Sequence, residues 1–193
     1  GATWVAIRIP DNAIAAHANQ ARIHEIPFGD KKNCMYEKDV VNVARENGWF
    51  KGKDKDFDFQ KAYNPYDFSG LRACEARVWS FFRTFDKGMD KYKKLIMGDA
   101  SEEPMPLYII PDRKVSLADV REGMRNHYEG TELSMTNDPG AGAYKVPYRW
   151  RPMTFKSEGR EYFNERAIAT QQTGFVLIAQ MRSWLPDAVG GIL

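Results

Sequence analysis

Cysteine is scarce: Cys34 and Cys74 are the only two in a chain of 193 residues. Two are too few for a disulfide scaffold, so a hydrophobic core must carry the fold. Neither sign of charge dominates, with 28 Lys and Arg against 26 Asp and Glu and a net charge of +2. That balance excludes a binder driven by charge of one sign, and with it nucleic acid and anionic membrane surfaces as partners. Long apolar runs are also missing. Phe175-Val176-Leu177-Ile178-Ala179 is the longest, far short of the ~20 residues of a membrane span. His17, His24 and His127 lack the spacing of a zinc site, and no Cys-x-x-Cys pair accompanies them. Asp54, Asp56 and Asp58 open like a calcium loop, but Phe59 and Pro65 stand where that loop needs Gly and Glu. There is no G-x-S-x-G elbow, no P-loop and no dinucleotide fingerprint; Gly140-Ala141-Gly142-Ala143 lacks a preceding strand and a third glycine. No metal or other cofactor is expected.

What is present is an ordinary globular composition. Apolar residues make up 43% of the chain and aromatics 13%, which excludes intrinsic disorder. At about 150 residues per domain, the length corresponds to one domain. Residues 3–9 alternate with Val5, Ile7 and Ile9 on one face, the period of a strand. Pro10-Asp11-Asn12 is a turn, and a second strand over 13–23 would complete a β-hairpin. Ala13, Ala15, Ala16, Ala18 and Ala21 punctuate that stretch, and such small residues let another element or a ligand come close to the backbone. Helices are predicted over 38–47, with Asn47-Gly48 as the stop, and over 73–84, with Val78, Phe81, Phe82 and Phe85 as the apolar stripe. Residues 87–98 read as partly helical and 107–110 as a short apolar stretch. Ser116 and Asp119 form a capping pair for a helix over 116–128, ended by Gly130. Residues 131–166 are long, polar and rich in turns. Thr173, Phe175, Leu177, Ala179 and Met181 alternate through 170–182, which predicts a strand apolar on both sides and buried between layers. Together these describe an α+β domain. They do not name a function.

An ordered series of local signatures says more. Trp4-Val5-Ala6-Ile7-Arg8-Ile9-Pro10-Asp11-Asn12-Ala13 and Ala18-Asn19-Gln20-Ala21-Arg22-Ile23 open it. Residues 39–50, residues 59–63 and Ala76-Arg77-Val78-Trp79 continue it. Pro106-Leu107, residues 111–116, residues 127–131 and Thr170-Gln171-Gln172-Thr173 complete it. In this order and spacing the chain resembles the bacterial cysteine dipeptidases of the N-terminal-nucleophile hydrolase superfamily, relatives of the choloylglycine and penicillin V acylase hydrolases.

The resemblance implies a four-layer αββα sandwich with antiparallel sheets, hydrolysis of dipeptides, and no cofactor. It also implies that a Cys at the mature amino terminus attacks the scissile carbonyl, its own α-amino group serving as base. Position one here is Gly1, and cleavage before Cys34 or Cys74 would discard matching upstream segments. The expectation is therefore that residues 1–193 are a central fragment of the catalytic domain, inert alone. Its partners would be the missing segments of the same polypeptide and a dipeptide substrate. Two site residues carry over from the resemblance. Asn19 would donate its side-chain amide to the tetrahedral oxyanion, and Arg77 would face the nucleophile, favouring its thiolate and orienting a substrate carboxylate. Gln20 and Arg22 would point to the face opposite Asn19. Members of such a family are exported from bacteria to the periplasm or medium, the cytoplasm being the alternative. A different class of function is a stand-alone module binding peptide or carbohydrate through Trp4, Trp49, Tyr63, Tyr66, Trp79 and Trp150, which requires several of these rings coplanar on one exposed face.

Overall fold

The computed structural model describes residues 2–149 and 154–189. Gly1, Trp150 and the terminal Gly190-Gly191-Ile192-Leu193 lie outside the described residues. The fold is α+β. Among the described residues its sheets are three antiparallel pairs of short strands.

The first strand, β1 (Val5–Ile7), alternates as its sequence requires, with Val5 and Ile7 half-buried and Ala6 exposed. Its partner is not residues 13–23 but β3 (Cys34–Tyr36), in the register Val5 to Tyr36 and Ile7 to Cys34. The expected opening hairpin is thus replaced by a longer-range pair. Ala13 N–H donates to Pro10 O at 3.0 Å, closing the turn, but the chain then leaves β1. Only Ile14–Ala15 is a strand (β2), and it pairs with β4 (Tyr108–Ile109). Residues 16–24 form no ladder.

Helix α1 (Val40–Glu46) buries Val40, Val41 and Ala44 and stops at Asn47 and Gly48, whose φ of 74° is one glycine adopts freely. With α2 (Phe59–Tyr63), β1 and β3 it encloses a smaller core around Ile26, Cys34 and Phe57. The larger core surrounds α3 (Ala76–Arg83), where Val78, Trp79 and Phe82 are almost wholly buried, together with α4 (Lys93–Ile96). Six residues of π-helix, Gly70–Glu75, lead into α3. Each turn of such a segment holds an extra residue, a feature frequent at functional sites. A Cβ at Gly70 would sit 2.6 Å from Gln20 Oε1, so a larger residue there would displace the Gln20 side chain.

Helix α5 (Leu117–Met124) starts on the expected capping box, Asp119 N–H donating to Ser116 Oγ and Ser116 N–H to the Asp119 carboxylate. It ends at Met124 rather than running to Tyr128. Its apolar stripe is thin, with Leu117 and Met124 exposed, and Tyr128 instead packs into the larger core with φ of 66°. Ser116→Ala is expected to cost about 1 kcal/mol. Hydrogen bonds from Arg113 and Ser116 hold the Asp119 carboxyl well below the usual carboxylate range. The lowered native pKa gives a contribution present above the unfolded Asp value of about 3.9 and lost as pH falls below it. Asp119→Asn should therefore melt below the unsubstituted protein at neutral pH, and thermal melts in acid should show the gap closing.

Two expectations fail further along. Residues 154–157 and 160–163 form a hairpin, β5 (Thr154–Ser157) with β6 (Arg160–Phe163), turned by Glu158 and Gly159 with φ of 50° and 75°. The stretch expected to be loop thus holds a two-residue turn between strands. Conversely, residues 170–182 are irregular apart from a single bridge residue at Ala179. Phe175 is 88% exposed and Met181 76% exposed. Among the described residues nothing packs on this segment as layers would, so alternation alone does not make it a buried strand.

Candidate functional site

The stretch from Ala16 to Ile26 meets other backbone at its end, where Phe59 and Gln60 N–H donate to His24 O and Ile23 O, and side chains hold the part before it. Ala21 N–H donates to Asn64 Oδ1 at 2.9 Å, and Gln20 Nε2 to Asn64 O at 2.7 Å. Arg22 is almost wholly buried. Its Nε donates to both Glu75 oxygens at 3.0 and 3.2 Å, and its other nitrogens to Ala16 O, Leu107 O and Pro106 O. Gln20 and Arg22 are both buried, whereas Asn19 beside them is exposed.

This anchoring leaves Asn19 on the surface between them, with φ of 64°. The left-handed region is one that Asn tolerates better than most residues. Arg77 lies one residue into α3, directly after the π segment. Its Nε donates to Ala73 O at 2.6 Å, and its Nη2 donates to Ala18 O at 3.2 Å and to Asn19 Oδ1 at 2.9 Å. The two site residues named from the sequence thus meet. A guanidinium has no acceptor, so the Asn19 oxygen must face Arg77 and its amide NH2 must point away. Neither Asn19 Nδ2 nor Arg77 Nη1 makes a hydrogen bond among the described residues. The contact therefore presents one neutral donor and one cationic donor, both held in place.

The alanine-rich stretch does leave space. A cavity of 270 Å³ lies beside Arg77, walled by Ala16, Ala18, Val78, Phe81 and Met124. A second of 380 Å³ touches Ala15, Ala16, His17, Ala21 and Phe59.

The remaining candidates separate from this site. Cys34 and Cys74 are free thiols. Burial, with Asp30 nearby, pushes the Cys34 thiol up, the reverse of the activation that Lys31 and Lys32 would bring. His24 Nδ1 pairs with Asp58 Oδ2 at 2.9 Å, while His17 is exposed. Among the described residues no group of three or more His, Cys, Asp and Glu is placed to hold a metal ion, and no helix is long and apolar enough to cross a membrane. Trp79 is wholly buried, Trp4 and Trp49 are exposed, and Trp49 meets Tyr63 edge-on at 77°. Among the described residues, Trp79 is therefore withdrawn from any exposed stacking face, and Trp49 and Tyr63 do not lie in one plane.

Sequence reading missed three charged residues around the π segment. Arg72 is paired with Glu165, and Glu75 with Arg22. Charged side chains are read by default as solvated, and no spacing marks these as buried.

The fold and this site belong to an α+β protein presenting an Asn–Arg donor pair beside small apolar cavities. The model of Peptidase family C69 matches residues 1–193, and the chain belongs to that family. It is 28% identical over its whole length to a probable dipeptidase of Salmonella dublin, covering 38% of that protein. It is 26% identical to a probable dipeptidase of Latilactobacillus sakei and 30% identical to a probable dipeptidase B of Streptococcus pyogenes serotype M1, covering 35% of each. The chain thus spans well under half the length of these relatives.

Proposed function

We propose that this chain is the central part of a cysteine dipeptidase and that Asn19 and Arg77 form one wall of its active site. The hydrogen bond between Asn19 Oδ1 and Arg77 Nη2 carries the reading, since it joins residues 58 apart in sequence into one donor pair. Family membership and the names of the relatives support a peptide substrate. The nucleophile is a cysteine contributed from outside these 193 residues, at the mature amino terminus of the catalytic domain. The two antiparallel sheets that carry β1 and β2, with helices packed beside them, are compatible with an αββα sandwich.

In this mechanism the cysteine's α-amino group takes the thiol proton, and the thiolate attacks the peptide carbonyl. The carbonyl oxygen becomes negative as it turns tetrahedral, and the Asn19 amide donates to it. The amino group returns its proton to the departing amine, leaving a thioester that water hydrolyses. Arg77 fixes Asn19 and has Nη1 free for a substrate carboxylate. The chemistry uses a thiol and its neighbours and calls on no cofactor. Action outside the cytoplasm, in the periplasm or medium of a bacterium, belongs to the same proposal.

The test is hydrolysis of unblocked dipeptides by the full-length protein, followed as released amino acids. Turnover that one equivalent of iodoacetamide per site abolishes is expected. A panel of dipeptides left intact, or turnover indifferent to alkylation, would overturn the reading.

A further inference from the structure

A cavity of 660 Å³ lies beside the π segment, with Phe68, Ser69 and Ala73 on one side and Phe163, Asn164 and Glu165 on the other. Phe68 and Phe163 meet edge-on there, their ring centroids 5.6 Å apart. Three polar atoms of its wall are buried without a hydrogen-bond partner among the described residues: Asn164 Nδ2 and Arg149 Nε, both donors, and Glu165 Oε2, an acceptor. Orphaned buried atoms are costly and uncommon, and two on adjacent residues of one cavity call for an explanation. Glu165 is not a loose side chain. Its other oxygen accepts from Arg72 Nη2, and Arg72 is itself held under the Phe163 ring, 5.9 Å from its centroid. Burial pushes the Glu165 carboxyl up, against the pull of Arg72.

The wall specifies its occupant by what it lacks. Oε2 needs a donor, Nδ2 and Arg149 Nε need acceptors, and Phe68, Phe163 and Met135 offer apolar surface. The amino end of a peptide has these parts in this order: an ammonium, a side chain, and a carbonyl one bond further on. We propose that this cavity binds the free amino end of a peptide, Glu165 accepting from its ammonium and Phe68 and Phe163 packing on its first side chain. The identity of the ligand rests on the peptidase reading above, whereas the cavity and its unpaired atoms do not. The two sites share a stretch of backbone. Ala73 lines this cavity, and its carbonyl accepts from Arg77. Burial and the Glu165 charge push the Tyr128 hydroxyl up, against the pull of Arg77 and Arg72.

Calorimetric titration of the full-length protein with phenylalaninamide and with 3-phenylpropanamide tests this, because the second compound lacks only the ammonium. Phenylalaninamide is expected to bind at least about tenfold tighter, the worth of one charge-assisted hydrogen bond. Equal binding of the two overturns the proposal without recourse to any variant. In Glu165→Gln the preference should fall to within about threefold; a folded variant that keeps the full preference also overturns it. Hydrolysis of dipeptides by a protein that binds both compounds equally defeats this inference and spares the peptidase reading. A preference for the ammonium that Glu165→Gln removes, in a protein that cleaves no dipeptide, supports the cavity and defeats the peptidase reading.

Discussion

Glu75→Ala is expected to destabilise the fold by about 3–5 kcal/mol, measured by urea denaturation. The Glu75 and Arg22 side chains are 0% and 2% exposed, so removing the carboxylate leaves a guanidinium charge with no access to water. Burial raises the Glu75 carboxyl, and the Arg22 guanidinium opposes that rise. Arg22→Met should cost at least as much. It strands the carboxylate and also the carbonyls of Ala16, Pro106 and Leu107, which Arg22 alone serves among the contacts described. The double substitution Arg22→Met with Glu75→Leu removes both charges yet leaves those carbonyls unpaired, so it should recover only part of the loss. Exposed pairs such as Arg8 with Asp11 should contribute little when treated the same way. Under the proposed function the pair matters through position: Arg22 ties residues 16–22 to the π segment, and Asn19 stands in the middle of that tie.

Removing the Asn19 amide is expected to lower kcat by about 10²–10³, the loss typical of one oxyanion donor. KM should change little, since the oxygen is negative only in the transition state. The choice of substitution matters because φ at Asn19 is 64°. Alanine would add backbone strain there, whereas glycine removes the amide without it. Asn19→Asp is the sharper control. It keeps the shape and strengthens the contact with Arg77, yet offers a negative oxygen where a donor is needed, so its activity should fall at least as far as that of Asn19→Gly. Arg77→Met should combine both effects, freeing Asn19 to rotate and removing the free Nη1.

Local signals were the legible part of this fold. The capping box at Ser116, the stop at Asn47-Gly48 and the apolar stripe through Val78 and Phe82 are decided within a few residues, and the chain follows them. Pairing was not legible, because a strand's partner depends on the whole molecule. β1 alternates as a strand must, but nothing near it says that Cys34–Tyr36 will lie beside it. Residues 170–182 show the converse, an alternation with no neighbour among the described residues to fix it as a strand. The hairpin at Glu158-Gly159 did carry a signal, two residues ending in glycine between alternating stretches. Asn19 and Arg77 came from family resemblance and not from spacing, for 58 residues of intervening chain hide their contact. Arg72, Glu75 and Glu165 were hidden for a simpler reason: a buried charge looks like a surface charge until its partner is known.

The most direct test of the account is the single-turnover rate of dipeptide cleavage by full-length Asn19→Gly protein, measured beside its melting temperature. The account predicts a rate about 10²–10³ below the unsubstituted protein with the melting temperature unchanged. A rate within about twofold, in an equally stable protein, would contradict the assignment of Asn19 to the active site.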